Sequence, residues 1–335
     1  MVAQINGAAM AFPAVYSTLS TEALVREILP QYALGEVQAC YFWHRGLSDV
    51  YWVKAGDRAY MFRVSHHHWR SRDDVYFELE FLDFLRGQDL PIAYPIRSRD
   101  GRLGVDIQAP EGPRYGALFI FAPGEVAVGD LDVHRAHQLG GILAAIHRAS
   151  QDFSSPCQRQ PLTPELLVEQ AVETIVPFLK ERPDCRRTFE GLAADAVAAL
   201  RSLDRHGDTW VVCWGDPHSG NVHFTAEGHP TLFDFDQCGH GWRAFDLAKF
   251  YETAVRTGLS RTIRETFLEG YQAIAPLQPW ELNALQPMAQ VAHLWAWWIA
   301  TDSARRHDYS RLDDSFFSRR LSQLRRLASR DWALF

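Results

Sequence analysis

One stretch limits what this chain can fold into: Val211-Val212-Cys213-Trp214-Gly215-Asp216-Pro217-His218-Ser219-Gly220-Asn221-Val222-His223-Phe224, followed by Leu232-Phe233-Asp234-Phe235-Asp236. Val211 to Cys213 reads as a short apolar strand entering a Gly-Asp turn. Asp216 and Asn221 stand five residues apart on the loop that follows. Val222 to Phe224 and Thr231 to Phe235 read as a β-hairpin turned through Ala226-Glu227-Gly228. Folding that hairpin back brings Asp234 near Asn221, so three oxygen-bearing side chains converge at the ends of short strands. An Asp placed to accept a hydroxyl proton, beside an Asn and an Asp suited to Mg²⁺, is the donor set that phosphoryl transfer uses.

The order D-x-x-x-x-N and then D-F-D is that of a kinase catalytic loop and its metal-binding loop. Each piece is weak alone, since D-x-x-x-x-N is common and DFD could be a strand end. Together, Gly215 to Asn221, Phe233 to Asp236 and Phe245-Asp246-Leu247-Ala248 resemble the aminoglycoside phosphotransferase family, whose core reads H-G-D-x-H-x-x-N, I-D-F/W-E/D and D-L-A. That kinase-like family also includes choline kinases, type II homoserine kinases and the bacterial stress-response kinase. The resemblance implies that Asp216 is the catalytic base, that Asn221 and Asp234 are Mg²⁺ ligands, and that Asp246 is a structural acid ordering the loop. The family usually has His where Trp214 stands. That His braces the loop, so Trp214 should change the packing beneath Asp216 without removing a reacting group.

Length and composition bound the rest. A chain of 335 residues, 47% hydrophobic and 22% charged, suits a globular protein of two lobes. The net charge of −7 gives a nucleic-acid partner no electrostatic support. Five cysteines with no CxxC pair are the usage of a reducing compartment. Met1 to Val15 has no basic leader region and no apolar run approaches a membrane span, so a cytoplasmic location without membrane contact is expected. Oligomeric state is not legible.

In the N-terminal part, Ser20 should cap a helix that buries Leu24, Val25, Ile28 and Leu29 before Pro30. Val37 to Trp43, Asp49 to Lys54 and Arg58 to Val64 read as strands. Gly46-Leu47-Ser48-Asp49 lies between the first two, where a kinase-like fold covers the ATP phosphates with backbone N–H groups; with one Gly it also reads as an ordinary hairpin turn. By the resemblance Arg63 contacts the α/β-phosphates, with a solvated strand-edge Arg as the plainer reading of the residue alone. The helix Asp73 to Arg86 carries Glu78 at the family's E-x-x-x-L-x-x-L position, the candidate ion-pair partner of Arg63, with Glu80 in reserve. Ile92 to Ser98 and Leu103 to Gln108 flank Asp100-Gly101, a hairpin signal. The apolar strand Ala117 to Phe121 breaks at Ala122-Pro123-Gly124-Glu125, and backbone groups near Phe121 are the expected adenine contact. His66-His67-His68 reads as a solvated loop, because three consecutive His cannot converge on one ion from a strand or helix.

The lobes are expected to be 1–122 and 123–335. Beyond the boundary, Leu139, Ile142, Leu143 and Ile146 form a helical core face ending at His147, which reads as a packed core His rather than a catalytic one. Thr163-Pro164 opens a helix with Leu167, Ala171, Ile175 and Phe178 buried, and Arg186 to Leu203 is an Ala-rich helix. Leu247 to Thr257, Ile263 to Ala273 and Glu281 to Thr301 also read as helices. Trp at the density of His293-Leu294-Trp295-Ala296-Trp297-Trp298 is usually core, with Trp295 or Trp298 as candidates to touch substrate.

The expected fold is therefore α+β, a protein-kinase-like pair of lobes: an antiparallel sheet with one helix, then a mainly helical lobe. The expected activity is transfer of the ATP γ-phosphate, with Mg²⁺, to a hydroxyl of a small molecule such as an aminoglycoside, amino alcohol or sugar. Nucleotide contacts are assigned to Ser48, Arg63, Glu78 and Phe121. A Ser/Thr protein kinase and a non-catalytic nucleotide-binding module are the alternatives.

Overall fold

The computed structural model describes residues 12–127, 131–205 and 207–332. Residues 1–11, most of the stretch over which a leader was sought, lie outside them. The chain divides into two compact units, Met1–Leu79 with Tyr94–Phe121, and Glu80–Ala93 with Ala122–Phe335.

The first unit is a five-stranded antiparallel sheet. It begins with a single turn, α1 (Thr21–Ala23), whose N-cap Ser20 Oγ accepts the Ala23 N–H at 3.3 Å. The expected helix then loosens: Leu24–Ile28 widens to a π-helix and Leu29–Gln31 tightens to a 3₁₀ turn around Pro30, which has no N–H to continue the ladder. Strands β1 (Val37–Arg45), β2 (Ser48–Ala55) and β3 (Arg58–Ser65) form a meander, and the helix α2 (Arg72–Gly87) follows. β4 (Val105–Ala109) and β5 (Gly112–Ile120) complete the sheet in the order β1-β2-β3-β5-β4. Alternation puts Tyr51, Val53, Tyr60, Phe62, Val64 and Leu118 into one core with Leu24, Leu29 and Tyr32.

Two expectations fail here. Ile92 to Ser98 is not a strand. It makes only isolated bridges at Ile92, Pro95 and Ser98, because Pro91 and Pro95 lack the N–H donors a ladder needs. Asp100-Gly101 does turn the chain, but β4 pairs with β5 through the turn after Ala109 instead. His66 is not in a solvated loop either. It is 2% exposed and lies 3.6 Å from Asp49, a fully buried carboxylate also held by Arg114 at 2.9 Å and by the Tyr16 hydroxyl. Burial alone would raise the Asp49 carboxyl, but His66, Tyr16 and Arg114 outweigh it and hold it well below the usual range.

The second unit contains the short strand β6 (Glu125–Val126) and the helices α3 (Val133–Ala149), α4 (Pro164–Ile175) and α5 (Pro183–Leu200). Asp132 and Thr163 cap α3 and α4 with their side chains. Leu139, Leu143 and Ile146 of α3 are buried as expected, whereas Ile142 and Phe178 are half-buried. β7 (Trp210–Cys213) is followed by β8 (Val222–Phe224), β9 (Pro230–Leu232) and β10 (Gly239–Trp242). β6, β8 and β9 form one small sheet, and β7 pairs with β10, a strand not expected from the sequence. The unit ends with α6 (Arg243–Thr257), α7 (Arg261–Gln272), α8 (Pro279–His307) and α9 (Asp314–Leu327), the last also unforeseen. No helix among the described residues is long and apolar enough to cross a membrane.

Helices α3 and α7 meet backbone to backbone at two glycines. A Cβ on Gly140 would lie 1.9 Å from the Phe267 carbonyl oxygen, and one on Gly270 would lie 2.0 Å from that of His137. In an exposed helix Gly→Ala stabilises by about 1 kcal/mol. Here the sign reverses: Gly140→Ala should destabilise by about 2 kcal/mol or more through backbone displacement, measured as a lower midpoint in urea unfolding.

Candidate active site

The site of the second unit is assembled on the carboxylate of Asp246. The sequence reading starts the helix at Leu247, but α6 begins at Arg243, which places Asp246 in its first turn. The side chain is wholly buried, Oδ1 accepting the Gly215 N–H at 2.8 Å and Oδ2 the Trp214 N–H at 2.6 Å. His147 Nε2 lies 2.9 Å from Oδ2, and its Nδ1 lies 2.8 Å from the Tyr271 hydroxyl. His147 is thus a packed core histidine that braces Asp246. His147, Cys213 and Asp246 do bring metal-ligand atoms within 4.8 Å of one another. Those atoms are spent on hydrogen bonds, Cys213 Sγ on the Trp242 carbonyl at 3.3 Å, so this cluster is core.

Tethered in this way, the chain turns at Gly215 with φ +87°, a left-handed conformation that glycine adopts without strain. Glycine is required there for space as well, since a Cβ would stand 2.0 Å from the Gln237 carbonyl oxygen. Asp216 follows directly. Its Oδ1 is 3.3 Å from Lys249 Nζ, and its Oδ2 accepts from Gln237 Nε2 at 2.9 Å, with His218 Nε2 at 3.7 Å. His218 Nδ1 accepts the Gly220 N–H at 3.0 Å, which puts the ring proton on Nε2, facing Asp216. Burial pulls the Asp216 carboxyl upward, but the Lys249 ammonium and the His218 contact outweigh it and hold it well below the usual carboxylate range. The result is an ionised carboxylate enclosed by donors.

Asn221 and Asp234 are joined to this loop through the backbone. Asn221 Nδ2 donates to the Asp216 carbonyl at 3.1 Å, and the Asn221 carbonyl accepts the Phe233 N–H at 3.0 Å. Strand β9 stops at Leu232 rather than running on to Phe235, and Asp234 turns left-handed at φ +60°. Trp214 supports that turn: its indole N–H donates to the Asp234 carbonyl at 3.0 Å, and its ring stacks on Phe235 at 5.2 Å and 22°. The residue that departs from the family pattern therefore braces the second loop from beneath. The Asp216 carbonyl can only accept, so it selects the amide nitrogen of Asn221 and leaves Oδ1 as the atom able to ligate. With the exposed carboxylate of Asp234, this is an all-oxygen donor pair of the kind a hard cation such as Mg²⁺ takes.

Lys249 and Gln237 were not singled out from the sequence. Lys249 had a signal available, since three residues after Asp246 it shares that residue's helix face. Gln237 had none, because its reach to Asp216 depends on the β7–β10 pairing. Of the Trp cluster, Trp297 is fully buried core, Trp295 is 6% exposed and donates to Gln237, and Trp298 is half-buried.

In the first unit, Arg63 pairs with Glu78 at 2.5 Å, while Glu80 belongs to the second unit and is engaged by Ser155. Glu78 rather than Glu80 is the partner. Ser48 is the first residue of β2, leaving only Gly46 and Leu47 between the strands, with the Gly46 N–H on the Ser48 carbonyl at 3.0 Å. The Phe121 N–H lies 3.3 Å from the Ala59 carbonyl.

Asp246→Ala would leave two buried N–H groups and the Nε2 of His147 unpaired, at a cost of about 3–5 kcal/mol, measured by chemical denaturation; a loss below 1 kcal/mol would show that the tether is not structural. Glu252 is pushed upward by burial but brought down to about 2 by His293 Nδ1 at 2.9 Å and by Lys249, from an ordinary 4.5. Its folded pKa is the lower one, so its contribution is whole above 4.5 and is lost as pH falls from there to 2. Glu252→Gln should flatten the acid limb of a stability–pH curve in that window.

Comparison with known proteins places the chain. The profile of the phosphotransferase enzyme family (APH) matches residues 42–281. An uncharacterised protein of Synechocystis sp. (strain ATCC 27184 / PCC 6803 / Kazusa) is 48% identical over 325 residues, covering 97% of this chain and 90% of the relative. A homoserine kinase of Rhodospirillum rubrum is 26% identical over 285 residues, covering 83% and 84%. The solved structure of the amicoumacin kinase hAmiN, in complex with AMP-PNP, Ca²⁺ and Ami, superposes with a TM-score of 0.74 at 17% identity, covering 92% of this chain and 93% of that one. The kinase-like α+β fold is thereby established, and the chain belongs to the aminoglycoside phosphotransferase (APH) family of phosphotransferase enzymes.

Proposed function

We propose that this protein transfers the γ-phosphate of ATP to a hydroxyl of a small molecule. The observation that carries the reading is the Asp216 carboxylate, ionised among Lys249, Gln237 and His218 and tied through its own backbone to Asn221. An acceptor hydroxyl beside Asp216 would be oriented by the carboxylate and would lose its proton to it late in the transfer. Asn221 and Asp234 would hold Mg²⁺, which when bound neutralises charge on the phosphate oxygens. Arg63, aligned by Glu78, is assigned to the α/β-phosphates, with the turn at Ser48 and the strand end at Phe121 completing the nucleotide contacts. Lys249 keeps Asp216 charged at neutral pH and is a fixed positive charge beside the reacting hydroxyl.

What supports the acceptor class is the family rather than any one contact. Relatives named for homoserine and for amicoumacin act on small molecules, and an amino alcohol, an aminoglycoside-like compound or a sugar is the class proposed here. The test is ADP release from Mg·ATP with L-homoserine, amicoumacin, aminoglycosides and sugars in one pool and a Ser/Thr-rich protein in another. Turnover confined to the small-molecule pool is expected; turnover confined to the protein would overturn the acceptor assignment. Asp216→Asn should lower transfer by roughly 10²–10⁴-fold with Mg·ATP still bound. Asp234→Ala should instead weaken Mg·ATP binding itself, read by calorimetry.

A further inference from the structure

Asp216 is held by an amide whose direction is dictated from α8. Trp295 Nε1 donates to Gln237 Oε1 at 2.9 Å, and Gln237 Nε2 donates to Asp216 Oδ2 at 2.9 Å. An indole N–H can only donate, so it selects the amide oxygen and turns the amide nitrogen toward the carboxylate. With the opposite orientation Gln237 would present a second oxygen to Asp216. The main chain of Gln237 is equally constrained. It passes so close to Gly215 that no Cβ fits between them, and the Cys238 N–H closes a turn onto the Phe235 carbonyl at 2.8 Å. Gly239 then enters the ladder opposite Cys213. At the far end, Trp295 is nearly buried and stacks on Trp298 at 4.5 Å and 22°.

We propose that Gln237 is a positioning residue for the base, fixing the Asp216 carboxylate through an amide whose orientation Trp295 sets. The proposal rests on the phosphotransferase reading above. Lys249 meets Oδ1 alone and His218 Nε2 stands 3.7 Å from Oδ2, beyond hydrogen-bond distance, so without Gln237 the carboxylate can still turn about its Cβ–Cγ bond. A donor on Oδ2, placed by a different element, removes that freedom. The two anchors arrive from separate directions, Lys249 from α6 and Gln237 from the segment before β10. Because the amide is neutral, it fixes the carboxylate without adding a second full charge beside it. A displacement of about 1 Å in such a group costs roughly 10²-fold in rate.

The experiment compares Gln237→Leu, Trp295→Phe and the double variant. The probe is Mg·ATP with water as acceptor, and in parallel with any acceptor that the wild type turns over. Gln237→Leu should be slower by about 10- to 100-fold in kcat, with Mg·ATP affinity within about 2-fold of wild type. Trp295→Phe keeps a six-membered aromatic ring against Trp298 and removes the five-membered half of the indole together with its N–H. It should be slower by about 3- to 10-fold, and the double variant should be no slower than Gln237→Leu alone, because Trp295 acts through Gln237. In ¹⁵N-Trp-labelled protein, the indole signal missing from Trp295→Phe should move in Gln237→Leu.

An unmoved indole signal, a Gln237→Leu enzyme at wild-type kcat, or rate losses that multiply in the double variant would each overturn the proposal. If Gln237→Leu fails to fold, Trp295→Phe decides by itself, and a wild-type kcat overturns. A wild type that releases no ADP with water or any acceptor removes the phosphotransferase reading and this proposal with it. An active wild type with an unaffected Gln237→Leu removes this proposal alone.

Discussion

The loop that carries Asp216 depends on a single buried carboxylate. Asp246 has no access to water, and each of its oxygens takes a backbone N–H from the residues just before Asp216. Removing such a group from solvent is costly, and only a full set of donors offsets it. Trp214, Gly215 and His147 supply that set. Because the donors are main-chain groups, the carboxylate fixes the path of the backbone rather than the position of one side chain. Everything downstream, from the left-handed Gly215 to the register of Asn221 against Phe233, inherits that path.

Above this tether the site is a problem of charge. A carboxylate as enclosed as Asp216 would drift toward its neutral form, in which it could not accept a proton. The Lys249 ammonium, itself buried on the next turn of the helix that carries Asp246, prevents this. Lys249 in turn lies near the buried Glu252, whose other partner is His293 on α8. Charges alternate along α6 as Asp246, Lys249 and Glu252, and each is answered by a group from another segment. One face of one helix thus organises both the loop and the electrostatics of Asp216.

The substitution of Trp for the family's usual His shows how such a brace can be replaced. What the site needs at position 214 is a buried ring with a donor aimed at the second loop. An indole provides both, through its stack on Phe235 and its N–H on the Asp234 carbonyl. The left-handed turn at Asp234, where β9 ends early, is held by that contact.

Much of this was legible in the chain. The Gly-Asp turn, the five-residue interval from Asp216 to Asn221 and the Asp-Phe-Asp sequence are local, so their joint resemblance to a kinase catalytic loop and metal-binding loop is readable before the chain folds. The three-strand meander and most helices of the second unit follow from periodicity and capping, which also act over a few residues, whereas Arg63 and Glu78 were assigned by the family resemblance. What failed to show were contacts between distant segments. His66 looked like part of a solvated loop until Asp49, Tyr16 and Arg114 closed around it. Ile92 to Ser98 looked like a strand until its prolines met a sheet that β4 completes instead. Lys249 and Gln237 became part of the site only when α6 and the β7–β10 ladder brought them to Asp216. The sequence by itself determined which chemistry the loops could carry, because that is set by residue type at short spacing. Tertiary structure alone decided which donors surround Asp216, because burial and charge pairing are properties of residues that the chain brings together only when it folds.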